Sequence, residues 1–391
     1  MRRNKSNKPM TVSSEADRLR IAFAVHDARP GGGQDLYALR LVNGLARRHE
    51  VTLFACSTSG LDESVRFVPI RTAKRPLLLR ARQFAQRAGQ LIEDDKWDVV
   101  HAVGGALPGA AVVTAQFCHA GWLSRQRSTP DRVSSTVTKM YRRFENRAAS
   151  RHEEAAVRSP SLRALIGVSQ GVMHEWIEAY GVTPPQHAVI PNAVDLERFA
   201  PPASGTTHRL RAALAIPSDA FVLLSVGTLV RKGIETGISC LSRLPKTVHL
   251  VVVGAGPHQR VHAIAQRAGV AERLHLIHPV SDIERYYHMA NALLFPTRYE
   301  PFGMVIAEAW AAGLPVICSS VAGALEWSRH DETAIHVGDP TDDQGFTDAV
   351  RRLSEDTALA QRLAEGGHDL ARQFSWERVV TETENLYRRM L

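Results

Sequence analysis

ANALLFPTRYEPFGMVIAEAWAAGLPVICSS, residues 290–320, decides the fold more than any other stretch of the chain. Its apolar run at 292–295 stops at a loop bounded by prolines. Gly303 then opens a helix-like segment, and Gly313 with Pro315 ends it before a second apolar run at 315–318. Strand, helix and strand in that order form a parallel crossover, which is right-handed and buried on both faces. The helix therefore starts at the carboxyl edge of a sheet, where the amides of Gly303, Met304 and Val305 are free to hold an anion. Glu300 precedes the helix and Glu308 lies about a turn and a half inside it. One carboxylate can thus meet hydroxyls at the helix entrance while the other accepts hydrogen bonds deeper in a cleft. A single glutamate here is ordinarily a surface or capping residue; the pair in this loop is far more specific.

Outward from this unit, short apolar runs alternate with helical patterns along the whole chain, which predicts an α/β fold of parallel sheets wrapped by helices. Strands are expected at 20–25, 51–55, 98–102, 111–115, 164–168 and 188–190, and again at 221–226, 249–253, 274–277, 292–295 and 315–318. Between the two series, IPNAVDLERFAPPASG (190–205) is irregular and proline-containing and reads as a linker near residue 200. The expected organisation is a disordered tail at 1–18, one doubly wound domain at 19–200, a second at 201–374 and a helix at 375–391 that can pack back on the first. Two such domains joined by a connector predict a cleft between them.

The composition restricts the function further. With 391 residues, 44% hydrophobic and 23% charged, the chain is an ordinary globular one, and collagen-like, coiled-coil or largely disordered readings are excluded. No apolar run reaches the ~18 residues that span a bilayer, and the basic start MRRNKSNKPM has no apolar stretch behind it, which argues against a secretory signal. The four cysteines are scattered singly, which fits a reducing cytoplasm. The net charge of +8 is uneven: 29 basic and 19 acidic residues up to position 200 give +10, and 19 and 21 after it give −2. The first half is expected to meet something anionic.

Two glycine turns follow strands. Gly31, Gly32 and Gly33 in ARPGGGQDLY let a backbone approach a phosphate closely at a helix start, although a merely flexible turn reads the same way. Gly254 and Gly256 in VVVGAGPHQR lack the third fingerprint glycine, where Gln259 stands, and no acidic residue follows at the ribose-binding spacing. A nicotinamide dehydrogenase is therefore a poor reading. SVGTLVRKGIETGI places Arg231 and Lys232 in a glycine-bounded turn after a strand, a natural partner for a diphosphate and for charge building on a leaving phosphate, where the alternative is a solvated surface pair.

RYEPFGMVIAEAWAAGLP (298–315) closely resembles the signature of the family 4 retaining glycosyltransferases. PGGGQ, IPNAVDLERFAPP, VGTLVRKG, VVVGAGP and VSDIERYYHMANALLFP agree in order, so the resemblance covers most of 20–390. It implies the GT-B fold, two Rossmann-like domains facing a central cleft, and transfer of a hexosyl group from a nucleoside-diphosphate sugar, most simply a UDP-sugar, with retention. It implies that Glu300 contacts donor sugar hydroxyls and Glu308 the ribose, that Arg231, Lys232 and the Gly303, Met304 and Val305 backbone hold the diphosphate, and that the backbone near Val280 contacts the base. The glycines at 31–33 approach the phosphate from the opposite domain. His119 in VVTAQFCHAGW matches a cleft histidine that positions the sugar or polarises the reacting centre; read alone, it is an ordinary core histidine.

The resemblance also implies that no metal and no cofactor beyond the nucleotide sugar is used; no Asp-x-Asp motif stands near a strand end in the second half. The departing diphosphate oxygen then takes the acceptor proton, with a glutamate nucleophile as the minority route. The pattern departs from the family at Thr228, where many relatives carry arginine, and in a loop to Lys232 one residue shorter than the commonest form; Arg231 is the cation in reach. Similarity to lipopolysaccharide-core and envelope sugar transferases implies an envelope glycan, lipopolysaccharide core, other polysaccharide or glycolipid acceptor. The other readings carried are an epimerase or phosphorylase of the same fold, and a silent module that binds glycans or lipids.

Residues 74–93 place Leu77, Ala81, Phe84, Ala88 and Leu91 on one helical face flanked by Arg75, Arg80, Arg82 and Arg87. Such a helix either docks on a sheet or lies in an anionic membrane interface. A second basic stretch, 125–163, carries ten Lys or Arg behind Trp122, and the two could build one surface at the acceptor site. The expected location is cytoplasmic, with peripheral contact at the inner face of the membrane. Nucleic acid is not an expected partner, since finger spacing, recognition-helix signature and stacking aromatics are all missing and only 6% of residues are aromatic.

Overall fold

A computed structural model of the chain describes residues 17–128, 131, 133–201 and 207–391. The tail expected at 1–18 thus lies almost wholly outside the described residues, as does the end of the linker at 202–206.

The first half runs β1 (Arg20–Ala24), β2 (Asp27–Ala28), α1 (Gly33–Ala46), β3 (Glu50–Ala55), β4 (Ser57–Thr58), β5 (Arg66–Pro69), α2 (Leu77–Glu93), β6 (Val99–Val103), β7 (Val112–Ala115), α3 (His119–Ser128), α4 (Thr136–Val157), β8 (Ala164–Gly167), α5 (Gln170–Tyr180) and β9 (Gln186–Val189). Its seven-stranded sheet has the order β5-β3-β1-β6-β7-β8-β9, and every pairing is parallel. After the short α6 (Leu196–Phe199) and α7 (Thr207–Ala213), the second half runs β10 (Phe221–Val226), α8 (Ile234–Arg243), β11 (Val248–Val253), α9 (His258–Arg267), β12 (Leu274–Ile277), α10 (Glu284–Met289), β13 (Ala292–Phe295), α11 (Met304–Ala311), β14 (Val316–Ser319), β15 (Ile335–Val337), α12 (Asp343–Glu355) and α13 (Thr357–Ala371). Its sheet order is β12-β11-β10-β13-β14-β15, also fully parallel.

Both sheets are doubly wound, so each has a point where the strand order reverses: between β1 and β6 in the first, between β10 and β13 in the second. A crevice opens at the carboxyl ends of the strands at such a point, and ligands bind there. The loops after β1, β10 and β13 carry the glycine, cation and glutamate segments, so the topology delivers all three to one place.

Strands buried on both faces are easy to read. Every residue of β11 and β13 is buried, and each is an uninterrupted or nearly uninterrupted apolar run. The edge strands β5 (RFVP) and β15 (IHV) are absent from the expected set. β5 is largely exposed and ends in proline, which a central strand would not tolerate but an edge strand does. The last helix, α14 (Trp376–Met390), packs against α1. Tyr387 reaches the first sheet there, bonding His101 Nδ1, whose Nε2 meets Thr114 Oγ1 at 2.7 Å. Buried without a counter-charge, His101 is pulled down to about 3 and is neutral.

α2 corrects one reading. Its buried stripe is Phe84, Ala88 and Ile92, while Leu77 and Leu91 are exposed. The stripe follows the i+4 ridge to Ile92 instead of turning back to Leu91, and Leu77 begins the helix beyond the part that covers the sheet.

Candidate functional site

α11 is a nearly all-apolar helix, MVIAEAWA, with Ile306, Ala307, Ala309, Trp310 and Ala311 buried. Packing on that scale fixes the helix rigidly beneath the cleft. Gly303 caps it at φ +110°, a conformation side chains rarely adopt, and no side chain caps the helix. Among the described residues, the amides of Gly303, Met304 and Val305 have no hydrogen-bond acceptor. They line the cleft as a group of unsatisfied donors at the positive end of the helix.

Glu308 is the one charge in that helix and is half-buried, and its loss of hydration raises its carboxyl above the ordinary range. The Tyr287 hydroxyl donates to its Oε2 at 2.6 Å and opposes the rise. Glu300 pairs with the Lys232 ammonium, both nearly shielded from solvent. Burial and the adjacent Arg231 charge push the lysine well below its usual range, and the nearby Cys318 and Glu308 work against that push. The two acids are therefore each already engaged within the protein. A carboxylate at this depth must have a partner or lose its charge, and each has recruited one.

The cationic turn is tied to the glutamate loop by the backbone. Arg298 donates its amide to the Arg231 carbonyl at 2.9 Å. Gly233 lies against the Pro296 carbonyl so closely that a methyl group there would sit 1.9 Å from its oxygen, and its φ is +72°. Only glycine permits that approach. The Arg231 guanidinium lies over the Phe117 ring at 5.4 Å and faces no carboxylate among the described residues; its buried Nε has no acceptor. Burial lowers its pKa accordingly. Of the two cations expected to hold a diphosphate, Arg231 is thus the uncompensated one, and Lys232 already serves Glu300. Thr228 also lines the cleft, so the arginine missing from its position has Arg231 as its neighbour.

The first half closes the opposite wall. A methyl on Gly33 would lie 3.4 Å from the Met304 sulfur, so the glycine loop faces the first side chain of α11 across the cleft. His119 begins α3, and its Nδ1 meets Glu153 Oε1 at 2.6 Å, while its amide donates to Glu153 Oε2 at 2.9 Å. Glu153, buried in α4, also accepts from the Tyr180 hydroxyl, so the ring is held in one orientation with Nε2 left to the cleft. Tyr299, next to Glu300, crosses between the halves: its hydroxyl donates to Glu175 Oε2 at 2.6 Å and accepts from the Cys118 amide at 3.1 Å. Glu326 makes a second crossing, accepting from the Gln170 and Gly171 amides at 2.7 and 2.8 Å.

All of these loops line one cleft of about 1500 Å³. Gly31, Gly32, Gly33, His119, Arg231, Lys232, Val280, Gly303, Met304, Val305, Glu300 and Glu308 all border it. Sequence reading missed Tyr287, Tyr299 and Glu153, which act through neighbours, and Gln116 with Asn192, whose side-chain amides bond each other at 2.9 Å beside the cleft. Lone tyrosines and amides carry no spacing that could reveal them; Tyr287 and Tyr299 were at least inside quoted motifs. Among the described residues, no group of three His, Cys, Asp or Glu is placed to hold a metal ion, and no helix is long and apolar enough to cross a membrane.

Residues 31–198 match glycosyltransferase family 4 and residues 207–369 match the glycosyl transferases group 1 family. The chain is 30% identical to a glycogen synthase of Mycobacterium tuberculosis over 77% of its own length and 71% of that protein's. It is 28% identical to a D-inositol 3-phosphate glycosyltransferase of Xylanimonas cellulosilytica over 91% of each. Among solved structures it superposes on WaaG, a glycosyltransferase involved in lipopolysaccharide biosynthesis, with a TM-score of 0.78 at 20% identity, covering 94% of this chain and 99% of that one. The Anabaena protein HepE in complex with UDP-glucose gives 0.72 at 19% identity, covering 95% and 100%.

Proposed function

Because the chain belongs to the family 4 glycosyltransferases of GT-B fold, we propose that it moves a hexosyl group from a nucleoside-diphosphate sugar to a hydroxyl of an envelope glycan, lipopolysaccharide core or related glycolipid, with retention. The observation that carries this reading is the set of unsatisfied donors at the base of the cleft: three amides of α11 and the Arg231 guanidinium, converging where a diphosphate fits. A diphosphate there would complete hydrogen bonds that the protein leaves open and supply the counter-charge that Arg231 lacks.

Glu308, at the floor, accepts ribose hydroxyls with the oxygen not engaged by Tyr287, and the backbone near Val280 meets the base. UDP is the donor nucleotide we favour, in keeping with the UDP-glucose held by HepE. Glu300 orients the sugar hydroxyls, and Lys232 keeps that carboxylate charged while its own charge faces the reacting end. His119, aimed by Glu153, places the sugar against the acceptor.

In the transfer, the bond from the anomeric carbon to the diphosphate oxygen breaks as that carbon bonds the acceptor oxygen on the same face. The acceptor proton passes to the departing diphosphate oxygen, whose growing charge Arg231 and the α11 amides stabilise without a metal ion. We further propose that the protein works as a peripheral protein at the inner face of the cytoplasmic membrane.

Incubation with a panel of nucleotide sugars tests this. Slow release of free sugar with unchanged anomeric configuration is expected for one donor. Epimerised donor would indicate an isomerase, phosphate-dependent release a phosphorylase, and failure to bind or consume any member a silent module.

A further inference from the structure

Exposed apolar side chains concentrate on two helices of the first half. Val137, Met140, Tyr141 and Phe144 of α4 are 71, 69, 44 and 57% exposed, and they recur at i, i+3, i+4 and i+7, which makes them one stripe. α2 packs against α4 and begins with Leu77, Leu78 and Leu79, each more than a third exposed. Single exposed apolar residues are ordinary, but a contiguous row of this size marks an interaction surface.

The adjoining stripe of the same helix is cationic and has the same spacing. Lys139, Arg142, Arg143 and Asn146 line the cleft. None of these three cations has a carboxylate partner among the described residues, and Arg142 is held only by Ser134 Oγ at 3.1 Å. One helix thus shows apolar side chains outward and unpaired cations toward the mouth of the cleft, then dives into the core from Ala148 onward.

We propose that α4 and the start of α2 seat the protein on an anionic lipid bilayer, the apolar stripe entering the headgroup boundary while the cationic stripe receives the anionic head of a lipid-borne acceptor. Charge complementarity selects this occupant. A second copy of the chain would bring the same arginines face to face, and nucleic acid would leave the apolar stripe in water. The acceptor half of the statement rests on the transfer reading above; the seat itself does not.

Co-sedimentation of the full chain with vesicles tests it. Wild type should bind vesicles of equal parts phosphatidylglycerol and phosphatidylcholine, bind phosphatidylcholine alone far less, and be released by salt. M140S/F144S should reduce partitioning at least about tenfold, because a buried Phe and Met side chain are lost from the boundary. Donor hydrolysis without acceptor and the melting temperature should be unchanged, since both side chains point away from the cleft and the core. The proposal falls if the variant partitions like wild type or wild type ignores anionic vesicles. It falls equally if wild type is a dimer without lipid that M140S/F144S dissociates, because a second copy then covers the face. Vesicle binding with no donor consumed would instead remove the transferase reading and leave the seat standing.

Discussion

The two walls of the cleft solve opposite problems. On the second-half wall, charges are buried or half-buried and, Arg231 apart, partnered: Lys232 with Glu300, Arg298 with Glu235, Glu308 with the Tyr287 hydroxyl. On the first-half wall, along α4, the cations at 139, 142 and 143 are partly exposed and have no carboxylate partner among the described residues. A wall that must present fixed dipoles to a developing charge gains from rigidity, since nothing need reorganise during reaction. In the transfer we propose, the other wall would admit the acceptor, and solvated, long side chains would leave their pairing to it. The difference teaches where stability and specificity are separable in this molecule: altering the donor wall should disturb both folding and turnover, altering α4 only recognition.

The severest test of that contrast is Lys232→Ala. It strips Glu300 of its counter-charge inside the protein, and breaking such a pair costs about 3–5 kcal/mol. We expect donor turnover to fall by about 10²–10³-fold together with a clear drop in melting temperature. Full activity with an unchanged melting curve would erase the distinction between the walls.

Next in size, Tyr299→Phe removes a buried hydroxyl that joins Glu175 and the Cys118 amide across the halves. Leaving those partners unsatisfied should cost about 1–3 kcal/mol. Because His119 follows Cys118 directly, kcat should fall more than KM rises. Equal shifts in both would show that Tyr299 does not align the halves.

Glu308→Gln sharpens the comparison through pH. Burial raises the Glu308 pKa, so the stability this group contributes is full below its unfolded value of about 4.3 and is lost as pH rises through the folded value. The glutamine variant, neutral throughout, should gain melting temperature relative to wild type as pH rises above about 4.3, while affinity for the bare nucleotide drops about tenfold if ribose binding is charge-assisted. Affinity unaltered by the change would count against the ribose assignment.

His101 shows the reverse sign. Held at about 3, it contributes stability that is full above the unfolded value near 6.5 and is lost as pH falls through the folded value. His101→Gln should flatten the acid limb of the stability profile in the first half. The smallest effect is expected for Arg143→Gln on α4, within about 0.5 kcal/mol of wild-type stability, read by chemical unfolding.

Much of this architecture could be read along the chain, and the reasons are local. β10 and β13 stand where their apolar runs end, because strands covered on both faces must be continuously hydrophobic. Glu300, Gly303 and Glu308 share one loop and helix, so their order alone carries their chemistry. β5 and β15 escaped because an edge strand needs neither length nor an apolar face on both sides. α2 escaped in its rotation, since Leu91 and Ile92 offer equally apolar stripes and only the sheet beneath chooses between them.

The sequence by itself determined the parallel α/β class, the two-sheet organisation, and which residue types come to the carboxyl edges, because hydrophobic period and glycine placement are properties of neighbouring residues. Only the tertiary structure decided the state of the charges: that Lys232 answers Glu300 while Arg231 faces no carboxylate among the described residues, that Tyr287 and Glu153 stand behind Glu308 and His119, and that α4 shows an apolar stripe to solvent. Pairing and exposure depend on which segments, far apart along the chain, are brought within a few ångströms, and no local pattern encodes that distance.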